Sequence, residues 1–337
     1  MKTLSITGTG AVSPAGWGVP AMMAALASGA EIPTTEIERP LGDGVVFTRV
    51  LKVPADAAAS PKFSRLRRTS PISKFAAAAA MEAIGPERAQ LSIEGKLRVG
   101  VIFTLTNGCV NYSNRFFGEV LNDPSVASPI LFPETVFNAP SSHISAMIGS
   151  RSPNDTLVTD GSGFFTGIEL AAEWLDRGDV DGVIIVASEE IDWLSAEALL
   201  HYSPEYVPAE GAAAIYLEAT DGPVRLLSLP DPVPFSSTNR LDAAREIKVR
   251  LAVEHDPQTL LVDGTVGIAR FDAPEEKAWS DWSGNRLSPR RLLGESMGAS
   301  TALQFVAAVQ SIKAGQYKRA VITAVGGSQH AAGALIG

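Results

Sequence analysis

The sequence predicts an α/β fold in five layers, αβαβα, made of two pseudo-symmetric halves packed as one compact unit. Three observations carry this reading. Short β-branched runs alternate with Ala-rich segments of helical length, the pattern of mostly buried strands covered by helices. Residues 161–188 repeat in residues 298–325. The helices of that repeat are apolar on nearly every face, so each is expected between two sheets, where a generic doubly wound protein would show amphipathic helices.

In chain order, the first strand is expected over 3–8, on Thr3-Leu4-Ser5-Ile6-Thr7, and a helix over 19–28 follows. A helix over 71–84 leads to a strand over 97–104, and a helix over 139–149 precedes a strand over 155–159. The helix over 162–177 and the strand over 181–188 form the first copy of the repeat, and strands over 212–218 and 223–229 come next. A helix over 241–254, a strand over 259–262, a helix over 298–314 and strands over 318–325 and 331–336 complete the chain. Loops bearing Pro and Gly separate these elements without any low-complexity linker. The halves are taken as residues 1–218 and 219–337. Within the repeat, Gly161 aligns with Gly298, Gly178 with Gly315, and Val183-Ile184-Ile185-Val186-Ala187 with Ala320-Val321-Ile322-Thr323-Ala324.

With 337 residues, 45% hydrophobic and 19% charged, the chain can bury a large core, which excludes disorder. No run of about eighteen apolar residues suggests a membrane span. The sequence opens on a strand pattern with neither a basic segment nor a cleavage site, so a cytoplasmic protein is expected. Net charge of −9 argues against nucleic acid as a partner. A single cysteine, Cys109, excludes an internal disulfide and a thiolate zinc cluster, and with four dispersed histidines no metal is expected. The run Gly8-Thr9-Gly10-Ala11-Val12-Ser13 is not a dinucleotide fingerprint, because the third glycine would fall at Ser13, and no cofactor is expected. One basic stretch stands out: Lys62, Arg65, Arg67, Arg68 and Lys74, either a solvated helix start or a surface for an acidic partner.

Several segments resemble the β-ketoacyl synthases of the thiolase fold. They are Ile6-Thr7-Gly8-Thr9-Gly10-Ala11-Val12-Ser13-Pro14-Ala15-Gly16, read as a strand turning through glycines into a Ser-Pro loop; Leu131 to Pro140 followed by His143, similar to a segment lining the family's dimer interface; and Glu210-Gly211-Ala212-Ala213-Ala214. The resemblance implies a thiolate nucleophile at a strand-to-helix turn, two histidines for decarboxylation, and an oxyanion hole of backbone N–H groups. Here the turn reads Thr159-Asp160-Gly161-Ser162-Gly163, with Gly161 at the cysteine. The first histidine loop appears as Asp263-Gly264-Thr265-Val266-Gly267, with Asp263 at the histidine. The second appears as Gly294-Glu295-Ser296-Met297-Gly298-Ala299, with Glu295 at the histidine and Arg290 at the family's lysine. All three catalytic positions are changed, and a carboxylate would repel a malonyl carboxylate.

The resemblance therefore implies an auxiliary subunit, similar to a chain length factor. It would pair with an active ketosynthase as a heterodimer in polyketide, polyene or fatty-acid-like synthesis, or form a homodimer. Arg65, Arg67 and Arg68 would then meet an acidic acyl carrier protein. The alternative is a hydrolase or acyltransferase on acyl thioesters that uses Asp263 and Glu295 with Ser162 or a water. Ser162 is otherwise expected to cap its helix, and Asp160, Asp263 and Glu295 either to converge as a carboxylate cluster or each to hold a loop or pair with Arg290. His143 is expected to be structural and Cys109 a small buried hydrophobe. The chain is shorter than the family pattern over 189–210 and 218–259, which argues against an ordinary buried acyl tunnel.

Overall fold

The computed structural model describes residues 2–41, 44–55, 59–236, 238–253, 256–325 and 329–337. Its first half runs β1 (Ser5–Ser13), β2 (Gly16–Trp17), α1 (Val19–Ser28), β3 (Thr35–Leu41), β4 (Gly44–Val50), α2 (Pro71–Ile93), β5 (Val99–Leu105), α3 (Val110–Asn122) and α4 (Ala139–Met147). It continues through β6 (Asn154–Val158), α5 (Gly163–Arg177), β7 (Gly182–Glu189), α6 (Trp193–Tyr202) and β8 (Gly211–Glu218). The second half runs β9 (Leu226–Ser228), β10 (Val233–Pro234), α7 (Arg240–Leu251), β11 (Thr259–Val262), α8 (Ala269–Ala278), β12 (Arg286–Leu287), α9 (Pro289–Leu293), α10 (Gly298–Lys313), β13 (Arg319–Val325) and β14 (His330–Ile336).

Strands β5 and β7 are buried at every residue, as near-continuous apolar runs must be, so both faces of their sheet need a cover. That sheet has the order β2-β1-β8-β7-β5-β6, with β5 parallel to β6 and β7, and β8 antiparallel to β7 and β1. The second has the order β10-β14-β13-β11-β12, with β9 on β14. In it, β11 is parallel to β12 and β13, and β14 is antiparallel to β13. The run β6-β5-β7-β8 is thus reproduced by β12-β11-β13-β14. Residues of α2 and α4 pack on one face of the first sheet. Residues of α5 and α10 fill the space between the sheets, and those of α7 and the end of α8 cover the outer face of the second. The result is the expected αβαβα stack.

The two central helices differ from expectation in one respect. α10 is buried along nearly its whole length. α5 is one-sided, with Thr166, Glu169, Glu173 and Asp176 exposed at helical spacing. These polar positions make α5 a sandwich helix with an open flank. The glycines near the start also act differently from expectation. β1 does not turn at Gly8 and Gly10 but continues to Ser13, and a Cβ would lie 1.8 Å from the Ala83 carbonyl oxygen at Gly8 and 1.9 Å from that of Ala79 at Gly10. Both glycines let α2 lie directly against the strand.

The hairpin β3–β4, the helices α3, α6 and α8, and the short β2, β10, β12 and α9 have no counterpart in the sequence expectation. α2 runs on to Ile93 past a break at Gly85, whose φ of 75° and following Pro86 signalled a stop. The strand expected over 223–229 shrinks to Leu226–Ser228. α7 ends at Leu251, where Ala252 turns left-handed; the expected last residue, Glu254, lies outside the described residues. Among the described residues, no helix is long and apolar enough to cross a membrane.

Candidate functional site

Parallel strands end together, so the loops after β5, β6, β11 and β13 meet, and such a junction is where open α/β sheets hold ligands. Here they enclose a cavity of about 260 Å³. Its wall includes Thr106 and Asn107 after β5, Asp160 and Gly161 before α5, Gly264 and Val266 after β11, and Val325 at the end of β13. Glu295 and Met297 before α10 and Ala198, Leu199 and Tyr202 of α6 complete the wall with Tyr206, Arg240, Phe271, Asp272, Glu275 and Arg290.

At the α5 start, the Asp160 carboxylate accepts the Ser162 backbone N–H at 2.9 Å and its hydroxyl at 2.5 Å. Asp160 is therefore the capping side chain, and Ser162, expected in that role, donates to it and makes no cap bond of its own. Gly161 follows Asp160 on the cavity wall. A Cβ there would lie 3.7 Å from Thr301 Oγ1 and 3.8 Å from the Met297 carbonyl oxygen, which is ordinary contact, and its φ is not left-handed. Gly163 is the opposite case, since a Cβ would fall 1.7 Å from Thr159 Cγ2. Packing demands glycine at 163 and does not demand it at 161.

The equivalent start of α10 is sealed. Glu295 Oε1 accepts the Met297 N–H at 2.7 Å and the Ser300 hydroxyl at 3.3 Å, while Oε2 pairs with Arg290. Arg290 also donates to the Gly264 carbonyl at 2.7 Å. Asp263 does not reach this wall. It is buried, and its Oδ1 accepts the Thr265 N–H at 3.1 Å, the Thr265 hydroxyl at 2.7 Å and the Ser288 hydroxyl at 2.7 Å, which holds the 263–267 loop. Of the three carboxylates expected together, the cavity gathers Asp160 and Glu295 and leaves Asp263 behind.

Two other carboxyl groups are buried here, Glu275 on the cavity wall and Glu189 off it, bonded to the wall residues Thr106 and Asn107. Glu275 of α8 is buried beside Asp263, and burial followed by that charge pushes its pKa up to about 7, against bonds from the Thr323 hydroxyl at 2.5 Å and the Gly264 N–H at 3.1 Å. Glu189, at the end of β7, is fully buried, and burial pushes it up to about 8 although it accepts the N–H groups of Thr106, Asn107 and Gly298. The sequence did carry a signal for these. Glu189-Glu190 ends a wholly apolar strand, so both carboxyls must find partners inside the protein.

The remaining candidates lie elsewhere. Arg65, Arg67 and Arg68 are exposed around the short 3-10 turn Ser64–Leu66, where Leu66 is buried and Arg67 flanks a shallow groove with Lys62, Phe63 and Lys74. His143 bonds the Glu134 carboxylate at 3.0 Å. Cys109 is buried, and burial raises its thiol pKa well above the ordinary range. A second apolar surface was not anticipated as exposed: Phe117 at 60%, Leu121 at 70%, Val126 at 72% and Ile130 at 58% stand out from α3 and the segment after it.

No protein-family model and no curated protein matches this sequence. Solved structures do. The ishigamide ketosynthase/chain length factor aligns over 99% of this chain and 99% of its own, with a TM-score of 0.80 and 18% identity. A type II PKS acyl-carrier protein in complex with its ketosynthase bound to the hexaketide gives a TM-score of 0.78 at 17% identity, over 99% of both chains. A β-ketoacyl synthase from Burkholderia phymatum STM815 gives 0.77 at 17% identity, over 100% of this chain and 99% of its own. At such identity the likeness speaks for architecture, and the chain has the thiolase-like fold of the β-ketoacyl synthases.

Proposed function

We propose that this protein is a ketosynthase-fold subunit that does not itself condense acyl groups, and that it pairs with an active ketosynthase working on an acyl carrier protein. The observation that carries the proposal is Gly161. It stands at the helix start on the cavity wall, where there is room for a side chain and none is present. Condensation needs a nucleophile there and neutral or cationic donors opposite it. This cavity offers instead a carboxylate, Glu295, already engaged by Arg290.

Pairing is supported by the apolar face of α3 and the residues after it, where Phe116 and Phe132 stack with ring centroids 5.5 Å apart. Such patches on a folded chain mark interaction surfaces. Among the described residues, the sheet edge β6 has no partner strand on its outer side and exposes Val158, and an unpaired edge is a template for another chain. The exposed cations at 65, 67 and 68 suit an acidic carrier protein.

Co-expression with an intact ketosynthase, read by native mass spectrometry, tests the reading. A one-to-one heterodimer is expected, and purified chain mixed with acyl-carrier thioesters should gain no acyl mass. A strict homodimer that ignores every ketosynthase offered, or stoichiometric acylation, would overturn it. A hydrolase built on Asp263 and Glu295 has less support, because Asp263 is off the cavity wall and the Ser162 hydroxyl donates to Asp160.

A further inference from the structure

Three arginines lie on or next to the cavity, and two of them have acidic partners. Arg290 pairs with Glu295, and Arg291 reaches Asp272 at 3.5 Å and Glu276 at 2.9 Å. Arg240, the first residue of α7, forms no ion pair among the described residues. Its Nη2 donates to the Val325 carbonyl at 2.9 Å, its Nε is buried with no acceptor among the described residues, and its guanidinium lies 5.7 Å from the Phe235 ring centre and 5.9 Å from that of Phe271. The charges of Glu275 and Asp272 act on this guanidinium only from beyond ion-pair distance, so a group held against aromatic faces and partly out of water still has donors open to an anion.

The rest of the cavity wall indicates what that anion is attached to. Ala198, Leu199, Tyr202, Phe271, Met297 and Val325 form an apolar lining that suits a hydrocarbon chain. Asp160, Asp272, Glu275 and Glu295 also border the space, so a dianionic group is disfavoured and a monoanion meets Arg240 at less repulsion. We propose that the cavity binds a short apolar chain ending in a free carboxylate, with the carboxylate on Arg240 and the chain against α6 and Phe271. This rests on the reading that the cavity no longer performs condensation, since a chain held by its own carboxylate is not an activated thioester.

Calorimetric titration with octanoate, octanamide and octyl phosphate tests the assignment. Wild-type protein should bind octanoate at least about tenfold more tightly than octanamide, the gain of a charge-assisted hydrogen bond to a partly desolvated arginine. Arg240→Met keeps the apolar stem, so it should lose that preference and bind octanamide as wild type does. Ala198→Phe should weaken both by filling the chain's space. Equal wild-type affinity for octanoate and octanamide, no octanoate binding, or an unaltered preference in Arg240→Met would overturn the proposal. Tighter binding of octyl phosphate would overturn the choice of a carboxylate. Pairing with a ketosynthase is read separately by native mass spectrometry, so a failure here and a failure of the auxiliary-subunit reading give different results.

Discussion

The starts of α5 and α10 are copies of one structural unit that have been put to different uses. At α5, Asp160 caps the helix and Gly161 leaves the wall bare. At α10, Glu295 both caps the helix and closes the wall through Arg290. The two are joined by Thr301 of α10, whose hydroxyl donates to the Gly161 carbonyl. The difference leaves one side of the cavity bare and makes the other a strut. A vacated position tolerates substitution, and a strut does not.

The largest effect should come from breaking the strut. Arg290→Met strands the Glu295 carboxylate, of which only 5% of the side chain is exposed. Removing one partner of such a pair is expected to destabilise the fold by about 3–5 kcal/mol, read from urea unfolding. A loss below about 1 kcal/mol would mean that α10 is capped without the pair. The double variant Arg290→Met/Glu295→Leu should recover part of the loss, because no charge is left buried.

Next in size is the pH response at Glu189, which ties the Thr106–Asn107 loop to the α10 start. Its folded pKa is raised from 4.5 to about 8, so between these values the native state holds a proton that the unfolded chain has released. Stability is therefore fully present at low pH and falls as pH rises toward 8, by about 1.4 kcal/mol per unit at most. Glu189→Gln keeps the neutral shape but cannot release a proton. The stability of wild type minus that of the variant should decline from pH 5 to pH 8 and then level off. A difference that is flat with pH would show that Glu189 is ionised throughout.

How much of this was legible in the sequence follows from what each feature depends on. The layers were readable because β5, β7 and α10 are buried all round and their composition says so. Gly161, Asp263 and Glu295 could be placed by motif, whereas the choice of Glu295 among the three carboxylates as the partner of Arg290 needed the fold. What stayed hidden depends on distant contacts. Ser162 and Asp160 are both good capping residues, and only the turn geometry decides which one accepts the N–H. Asp263 points away because Ser288, from another segment, supplies its donor. α3 was missed because its apolar stripe faces outward, with no buried residue of its own to mark it as part of this chain's core. Glu275 and Arg240 belong to helices whose placement no local pattern gives.

Two smaller effects separate the cap from the vacancy. Asp160→Ala removes the α5 cap and should lower stability by about 1 kcal/mol, measured by thermal unfolding. Gly161→Cys should be neutral or slightly stabilising, within about 1 kcal/mol, because the new side chain meets Thr301 and Met297 at ordinary contact distances. The added thiol sits at a helix start, which favours thiolate, beside Asp160, which opposes it. It should alkylate with iodoacetamide while the buried Cys109 does not, giving a single modified site by mass spectrometry. The same variant should still fail to condense an acyl group with a malonyl thioester, since positions 263 and 295 carry carboxyl groups in place of the donors that stabilise an enolate. Condensation restored by that one substitution would show that only the nucleophile had been lost, and the contrast between an emptied start and a rebuilt one would collapse.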